Sequence, residues 1–192
     1  ILITFSDAAV NVLGIYYKLQ SFVFMPAYGL NQGILPILGY NFGAGNKKRF
    51  VRTVKTGGAL ALIIMLVGTL IFQIFPTQLL MLFNDDAEMI RIGIPALRIT
   101  SLCFIPAALD VLFATLFQAT GKGFYSLMVS LLRQLIVILP VAYVLSFFGL
   151  EFVWWSYPIA EIVALVFSSW LTLQLYRNRI SQLQPLHPEQ DF

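Results

Sequence analysis

The feature that most limits what this chain can become is the run from Tyr28 to Arg49. It is an apolar stretch interrupted by Gly29, Gly33, Gly39 and Gly43, by Pro36, and by the amides Asn31, Gln32 and Asn41, and it ends in Lys47, Lys48 and Arg49. A helix in the core of a water-soluble protein gains nothing from so many glycines. A membrane helix that packs closely, bends and borders a polar path does. The basic end marks the side on which that helix leaves the bilayer.

Charged residues are only 11% of the chain and hydrophobic ones 59%, where a soluble domain carries about a quarter charged residues. The net charge of +3 comes from cations that flank apolar segments, so no nucleic-acid partner is expected. Cys103 is the one cysteine and His187 the one histidine, which excludes a disulfide framework and a histidine metal site. No phosphate loop, nucleophile elbow or zinc-protease pattern occurs. An enzyme is not expected, nor is a cofactor.

About 20 apolar residues span a bilayer. Segments 12–44, 57–83, 90–119, 124–148 and 152–176 meet that length. The apolar opening at Ile1 lacks a basic leader, so it reads as the end of a further membrane helix and the sequence as part of a longer protein. The expected fold is all-α: a polytopic bundle of five full transmembrane helices plus the end of a sixth. Residues 1–178 form the transmembrane lobe and 179–192 a tail.

The loops are short and force antiparallel hairpins. Lys47, Lys48, Arg49, Arg52 and Lys55, then Lys122, then Arg177 and Arg179 alternate with loops holding Asp7, Asp85, Asp86, Glu88 and Glu151. By the positive-inside rule the first set and the C-terminus face the cytoplasm of an inner (plasma) membrane. The basic cluster reads as a topology anchor, with a lipid-headgroup or partner site as the alternative.

Every full segment carries proline: Pro26 and Pro36, Pro76, Pro95 and Pro106, Pro140, and Pro158. Proline frees a carbonyl and kinks a helix, which suits a bundle that moves between two states as well as one that merely tolerates it. Gly29/Gly33 and Gly39/Gly43 have GxxxG spacing, read as close helix packing.

Asp110, Arg133 and Glu161 fall inside predicted spans, where a charge must have a partner, water or a task. Counting from Lys122 puts Asp110 and Arg133 at one depth, so an Asp110–Arg133 pair is expected, with Glu161 as a second partner nearer the outer side. Arg133 reads as a structural ion-pair residue because arginine stays charged. Asp110 and Glu161 are candidates for exchanging a proton or cation. Met25, Tyr28, Asn31, Gln32, Pro36 and Asn41 are candidate cavity-lining residues, the aromatic and thioether surfaces suiting bulky or cationic ligands. Trp154, Trp155 and Tyr157 read as an interfacial aromatic belt.

Gly14 to Gln20, Pro26, Gly29 to Gly33 and Gly39 to Ala44 together resemble the multidrug and toxic compound extrusion (MATE) family, in the signature that opens the second helix of its C-terminal lobe. Phe117 to Lys122, Leu132 to Gln134 with Pro140, and Trp155 to Glu161 resemble it in the same order. The resemblance implies one lobe of a twelve-helix transporter that works by alternating access. Its substrates would be organic cations or drugs exchanged for Na⁺ or H⁺, and its partner a missing N-terminal lobe. The acid that several family members carry on the tenth helix falls near Ala107 here, one turn from Asp110. The alternatives are a lipid-linked saccharide flippase of the same superfamily and an inert truncated membrane fragment.

Overall fold

The structure is a computed structural model that describes residues 2–83 and 85–184. Expectations placed on Ile1, Asn84, His187 and the rest of residues 185–192 lie outside it. A 3₁₀ turn, Leu2–Thr4, leads to α1 (Asp7–Gly43), α2 (Lys47–Ile74), α3 (Pro76–Met81), α4 (Ala87–Ser101), α5 (Phe104–Ala119) and α6 (Gly123–Leu131). A π-helical segment, Leu132–Val137, joins α6 to α7 (Ile138–Ser146), followed by α8 (Leu150–Trp154), α9 (Ser156–Leu175) and a last π turn, Tyr176–Ile180. The fold is all-α, as expected.

Among the described residues three helical stretches are long and apolar enough to cross a membrane: Lys47–Ile74, Gly123–Ser146 and Leu150–Ile180. A fourth is the pair α4 and α5, bent by 45°. The expected count was five full spans. At 37 residues α1 is about 55 Å long, ample for a bilayer, but its amides, glycines and prolines dilute its apolarity.

Local chemistry sets the boundaries. Ser6 caps α1 by accepting from the Ala9 amide at 3.1 Å, and Asn46 caps α2 by accepting from the Arg49 amide at 3.0 Å. That cap places Lys47, Lys48, Arg49, Arg52 and Lys55 in the first turns of α2 rather than in a loop. The turns before α2, α6 and α8 contain Gly45, Gly121 and Gly149, all at positive φ, where a side chain would be strained.

Proline positions account for the breaks. A proline leaves the carbonyl four residues earlier without its helical donor. For Pro106 that carbonyl is Leu102, at the α4–α5 bend; for Pro158 it is Trp154, at the α8–α9 break. Pro76 opens α3 where α2 stops at Phe75. Side chains of α2 satisfy carbonyls loosened at the bend: Gln73 Nε2 donates to Arg98 O at 2.8 Å and Thr69 Oγ1 to Ser101 O at 3.3 Å.

The core has two centres. Phe24, Phe72 and Phe104 meet edge to face with ring centroids 5.3 and 5.0 Å apart, and Tyr16, Met65 and Trp154 join the same cluster. Leu38, Phe50, Phe117 and Leu171 build the second towards the other end. From α6 through α7 only Val129 is buried, so this span sits at the edge of the bundle against α9. Gly57, Gly68 and Gly93 lie tightest, each against a side chain of the facing helix, and Gly58 follows with Leu112 Cδ2 3.0 Å from where its Cβ would be. The GxxxG pair Gly29 and Gly33 meets open space, so that spacing does not mark a contact here.

The two ends differ in charge. Lys47 Nζ donates to Ser181 O at 3.3 Å and lies over the Tyr176 ring, which brings the start of α2 beside the end of α9. Ser6, Glu88 and Glu151 line one hollow, which gathers the starts of α1, α4 and α8 at the opposite end. Trp154 is 1% exposed and packs in the core, so the expected aromatic belt reduces to Trp155.

Candidate functional site: an aromatic cavity between broken helices

One face of α1 carries Tyr17, Gln20, Ser21, Phe24, Met25 and Tyr28 at successive helical turns, and this stripe forms one wall of a cavity of about 390 Å³. The opposite walls come from Cys103 and Ala107, from Arg133, Gln134 and Ile138, and from Tyr157 and Glu161. Each wall is irregular where it borders the space. Cys103 lies in the α4–α5 bend, Arg133 and Gln134 lie in the π segment, and Tyr157 follows the α8–α9 break. Pro26 falls within the lining stretch of α1. Membrane helices keep non-helical backbone where it faces protein or a water-filled space.

Inside the cavity, Arg133 Nη1 donates to Glu161 Oε1 at 2.8 Å, with the two side chains 25% and 9% exposed. The Tyr17 and Tyr157 hydroxyls are 3.2 Å apart, and the Tyr16 hydroxyl lies 3.8 Å from Cys103 Sγ. Tyr16 sits edge to face on Tyr157. The cavity therefore offers aromatic faces, hydroxyls and one compensated pair of charges.

The expected Asp110–Arg133 pair does not form. Arg133 lies where the wide turn begins, Ile138 N–H reaching back to Arg133 O, and a shared depth fixes no direction: its side chain turns into the cavity to Glu161, while Asp110 faces Ser168 of α9. Asp110 is buried between α5 and α9, where Ser168 Oγ donates to its Oδ1, while its Oδ2 has no hydrogen-bond partner among the described residues.

Of the candidate lining residues, Met25 and Tyr28 border the cavity. Asn31 is buried, donating to Ala27 O at 2.8 Å and accepting from Thr115 Oγ1 at 3.3 Å. Asn41 is buried and donates to Ile37 O at 2.7 Å. These two amides join helix to helix or bond their own backbone, because Ala27, Asn31, Ile34, Leu38 and Asn41 share the packed stripe of α1. Gln32 is exposed one turn beyond Tyr28, and it and Pro36 lie off the cavity. Sequence reasoning missed Tyr16, Tyr17 and Tyr157 as lining residues and Ser168 as the partner of Asp110. The signal for Tyr17 was its spacing of four, eight and eleven residues from Ser21, Met25 and Tyr28.

A helical membrane bundle whose walls break around a polar and aromatic cavity is the construction of a membrane transporter rather than of an enzyme. The MatE family profile matches residues 1–144, and the chain belongs to the MatE family. It is 30% identical over 181 residues to the multidrug export protein MepA of Staphylococcus haemolyticus (strain JCSC1435), covering 94% of this chain and 39% of that protein. It is 28% identical over 180 residues to the MepA of Staphylococcus saprophyticus, again across 39% of it. Among solved structures it superposes on the Vibrio cholerae MATE transporter VcmN in the bent form with a TM-score of 0.87 at 21% identity, covering 95% of this chain and 42% of that one. It also superposes, with a TM-score of 0.81 at 22% identity and across 92% of this chain and 40% of that one, on a Pyrococcus furiosus MOP superfamily transporter whose reversed pocket polarity suggests a different function. The chain thus spans about two-fifths of the length of the relatives it matches, one lobe of the MATE fold.

Proposed function

We propose that these residues are the C-terminal lobe of a MATE efflux transporter, which expels small organic cations or drugs in exchange for Na⁺ or H⁺ by alternating access. The observation that carries this reading is the coincidence of broken helices with an aromatic cavity that holds a carboxylate. Tyr17, Tyr28 and Tyr157 provide π faces for a cation, with Met25 as adaptable apolar surface. Glu161 is the anionic partner, held by Arg133 when no cationic ligand is there. Asp110, behind the cavity and short of hydrogen bonds, is the carboxylate we assign to the coupling ion. In this reading α1 completes five spans, and the end with Lys47, Lys122 and Arg177 faces the cytoplasm. The missing lobe supplies the other half of the path.

The test is ethidium efflux by the full-length protein in an efflux-deficient bacterium, with Na⁺ and H⁺ gradients imposed separately. Efflux that collapses with one gradient supports antiport and names the ion. No efflux under either, with the protein present in the membrane, rejects it. Arg133 favours a second reading, flipping of an anionic lipid-linked saccharide, since it is the one cation among the described residues that line the cavity. That reading ranks second because Glu161 at 2.8 Å already compensates the charge. An inert fragment would leave the cavity chemistry without a use.

A further inference from the structure

A second site lies at the basic end of α2, on the opposite face of α1 from the cavity. The first turn of α2 holds Lys47, Lys48 and Arg49 and no acid, an order that runs against the helix dipole. Lys47 turns to Ser181 and Tyr176. Lys48, Arg49, Arg52 and Lys55 instead share an arc of about 120° at 3.6 residues per turn. Lys48, Arg52 and Lys55 are exposed and make no ion pair with a described residue. Thr56, on the same arc, is exposed and has no hydrogen-bond partner among the described residues.

Directly below this arc a groove of about 290 Å³ runs between α1 and α2. Arg52 and Thr56 stand at its mouth, and Leu30, Ile34, Ile37 and Leu60 form its apolar length. Gly57 sets its floor: a Cβ there would lie 2.4 Å from Ile34 Cδ1. The groove continues into the exposed apolar stripe Ile63, Val67, Leu70 and Ile74 on the same helix, the surface that meets lipid tails. Uncompensated cations at the membrane surface above an apolar slot within the bilayer complement one ligand, a molecule with an anionic head and a hydrocarbon tail.

We propose that this groove binds an anionic phospholipid, its phosphate at Arg52 and Lys55 with the Thr56 hydroxyl, and one acyl chain between Ile37 and Leu60. The site does not depend on the transport reading.

The test is native mass spectrometry of the full-length protein in neutral detergent, titrated with phosphatidylglycerol and with phosphatidylcholine of matched chains. Phosphatidylglycerol is expected to bind at least about tenfold more tightly, and R52Q/K55Q to erase that preference. Ile37→Trp, which fills the groove and keeps every charge, is expected to weaken both lipids. K122Q, a cation at the same end but away from the groove, is expected to change nothing. Equal binding of the two lipids, or an effect of K122Q as large as that of R52Q/K55Q, overturns the site. So does displacement of the lipid by soluble glycerol phosphate, which would show an anion site without a tail. Tighter lipid binding after deletion of residues 185–192, which include Glu189 and Asp191, would make the acidic tail the occupant and also overturn it.

Discussion

Glu161 and Arg133 give the most direct check on the cavity, because each is the other's compensation. Two unit charges about 4 Å apart at an effective dielectric constant of ~20 attract by ~4 kcal/mol, and stripping one partner from a buried pair costs about 3–5 kcal/mol. The 25% exposure of the Arg133 side chain lets water share its charge, so Glu161→Gln falls below that range, at about 2 kcal/mol. The glutamine carbonyl still accepts the Arg133 hydrogen bond. Arg133→Gln leaves a carboxylate that is 9% exposed without its cation and is expected to cost about 3 kcal/mol. With both replaced, a neutral amide pair remains, within about 1 kcal/mol of the parent. The cycle therefore predicts a coupling of about 4 kcal/mol between residues that sum to about 5 separately. At about 2–4 °C per kcal/mol for a chain of this size, Arg133→Gln lowers Tm by roughly 6–12 °C while the double variant stays within roughly 4 °C. Cys103, the one cysteine in these residues and buried, serves as the reporter: a thiol-reactive fluorogenic dye labels it as the bundle opens. If the double variant falls by the sum of the singles, the pair carries no coupling and the reasoning fails.

Three further perturbations follow from the packing and the breaks. Gly68→Ala puts a Cβ 2.2 Å from Val23 Cγ1 and 3.3 Å from its Cβ, and a β-branched side chain has no free rotamer to retreat into. It should destabilise by about 1–3 kcal/mol and be rescued by Val23→Ala, whereas Gly93→Ala, which meets the flexible end of Leu80 at 2.7 Å, should cost less in the same melt. Pro106→Ala returns a donor to the Leu102 carbonyl; it should raise Tm while slowing ethidium efflux, and unchanged efflux would mean that the 45° bend has no part in the cycle. Asp110→Asn keeps an oxygen for Ser168 and should fold normally, yet efflux should lose its dependence on the ion gradient; retained dependence would remove Asp110 from coupling.

The fold was largely legible because bilayer thickness and the charge alternation of short loops are long-range constraints written into local composition. The helical hairpins appear where the apolar segments ended, at Gly45, Gly121 and Gly149. What composition hid was where helices start. The cations after Asn46 look like a loop until the asparagine is recognised as a cap whose carbonyl takes the Arg49 amide. Close packing was hidden too: the tight glycines include Gly57, Gly58, Gly68 and Gly93, and only the facing side chains identify them.

The site was half legible, for a reason that particular residues make clear. Asn31 and Gln32 are adjacent, so they point about 100° apart, and residue type alone cannot say which meets the cavity. The stripe could have decided it: Asn31 stands four residues after Ala27 and three before Ile34, both buried, which commits it to packing. The charge pairing failed because counting along a helix gives depth and not direction: Asp110 faces Ser168 of α9, and Arg133 meets Glu161 inside the cavity. Yet the prolines already pointed there. Stepping back four residues from Pro26, Pro106, Pro140 and Pro158 gives Phe22, Leu102, Ile136 and Trp154, the carbonyls that lose a helical donor. Each lies within three residues of a lining residue, Ser21, Cys103, Gln134 and Tyr157, whereas the same step from Pro36, Pro76 and Pro95 ends at Gln32, Phe72 and Arg91, off the cavity. Weakened backbone and cavity coincide because unpaired carbonyls in a bilayer need protein or water beside them. Proline position combined with the aromatic stripe of α1 therefore locates the cavity, where amide content alone did not.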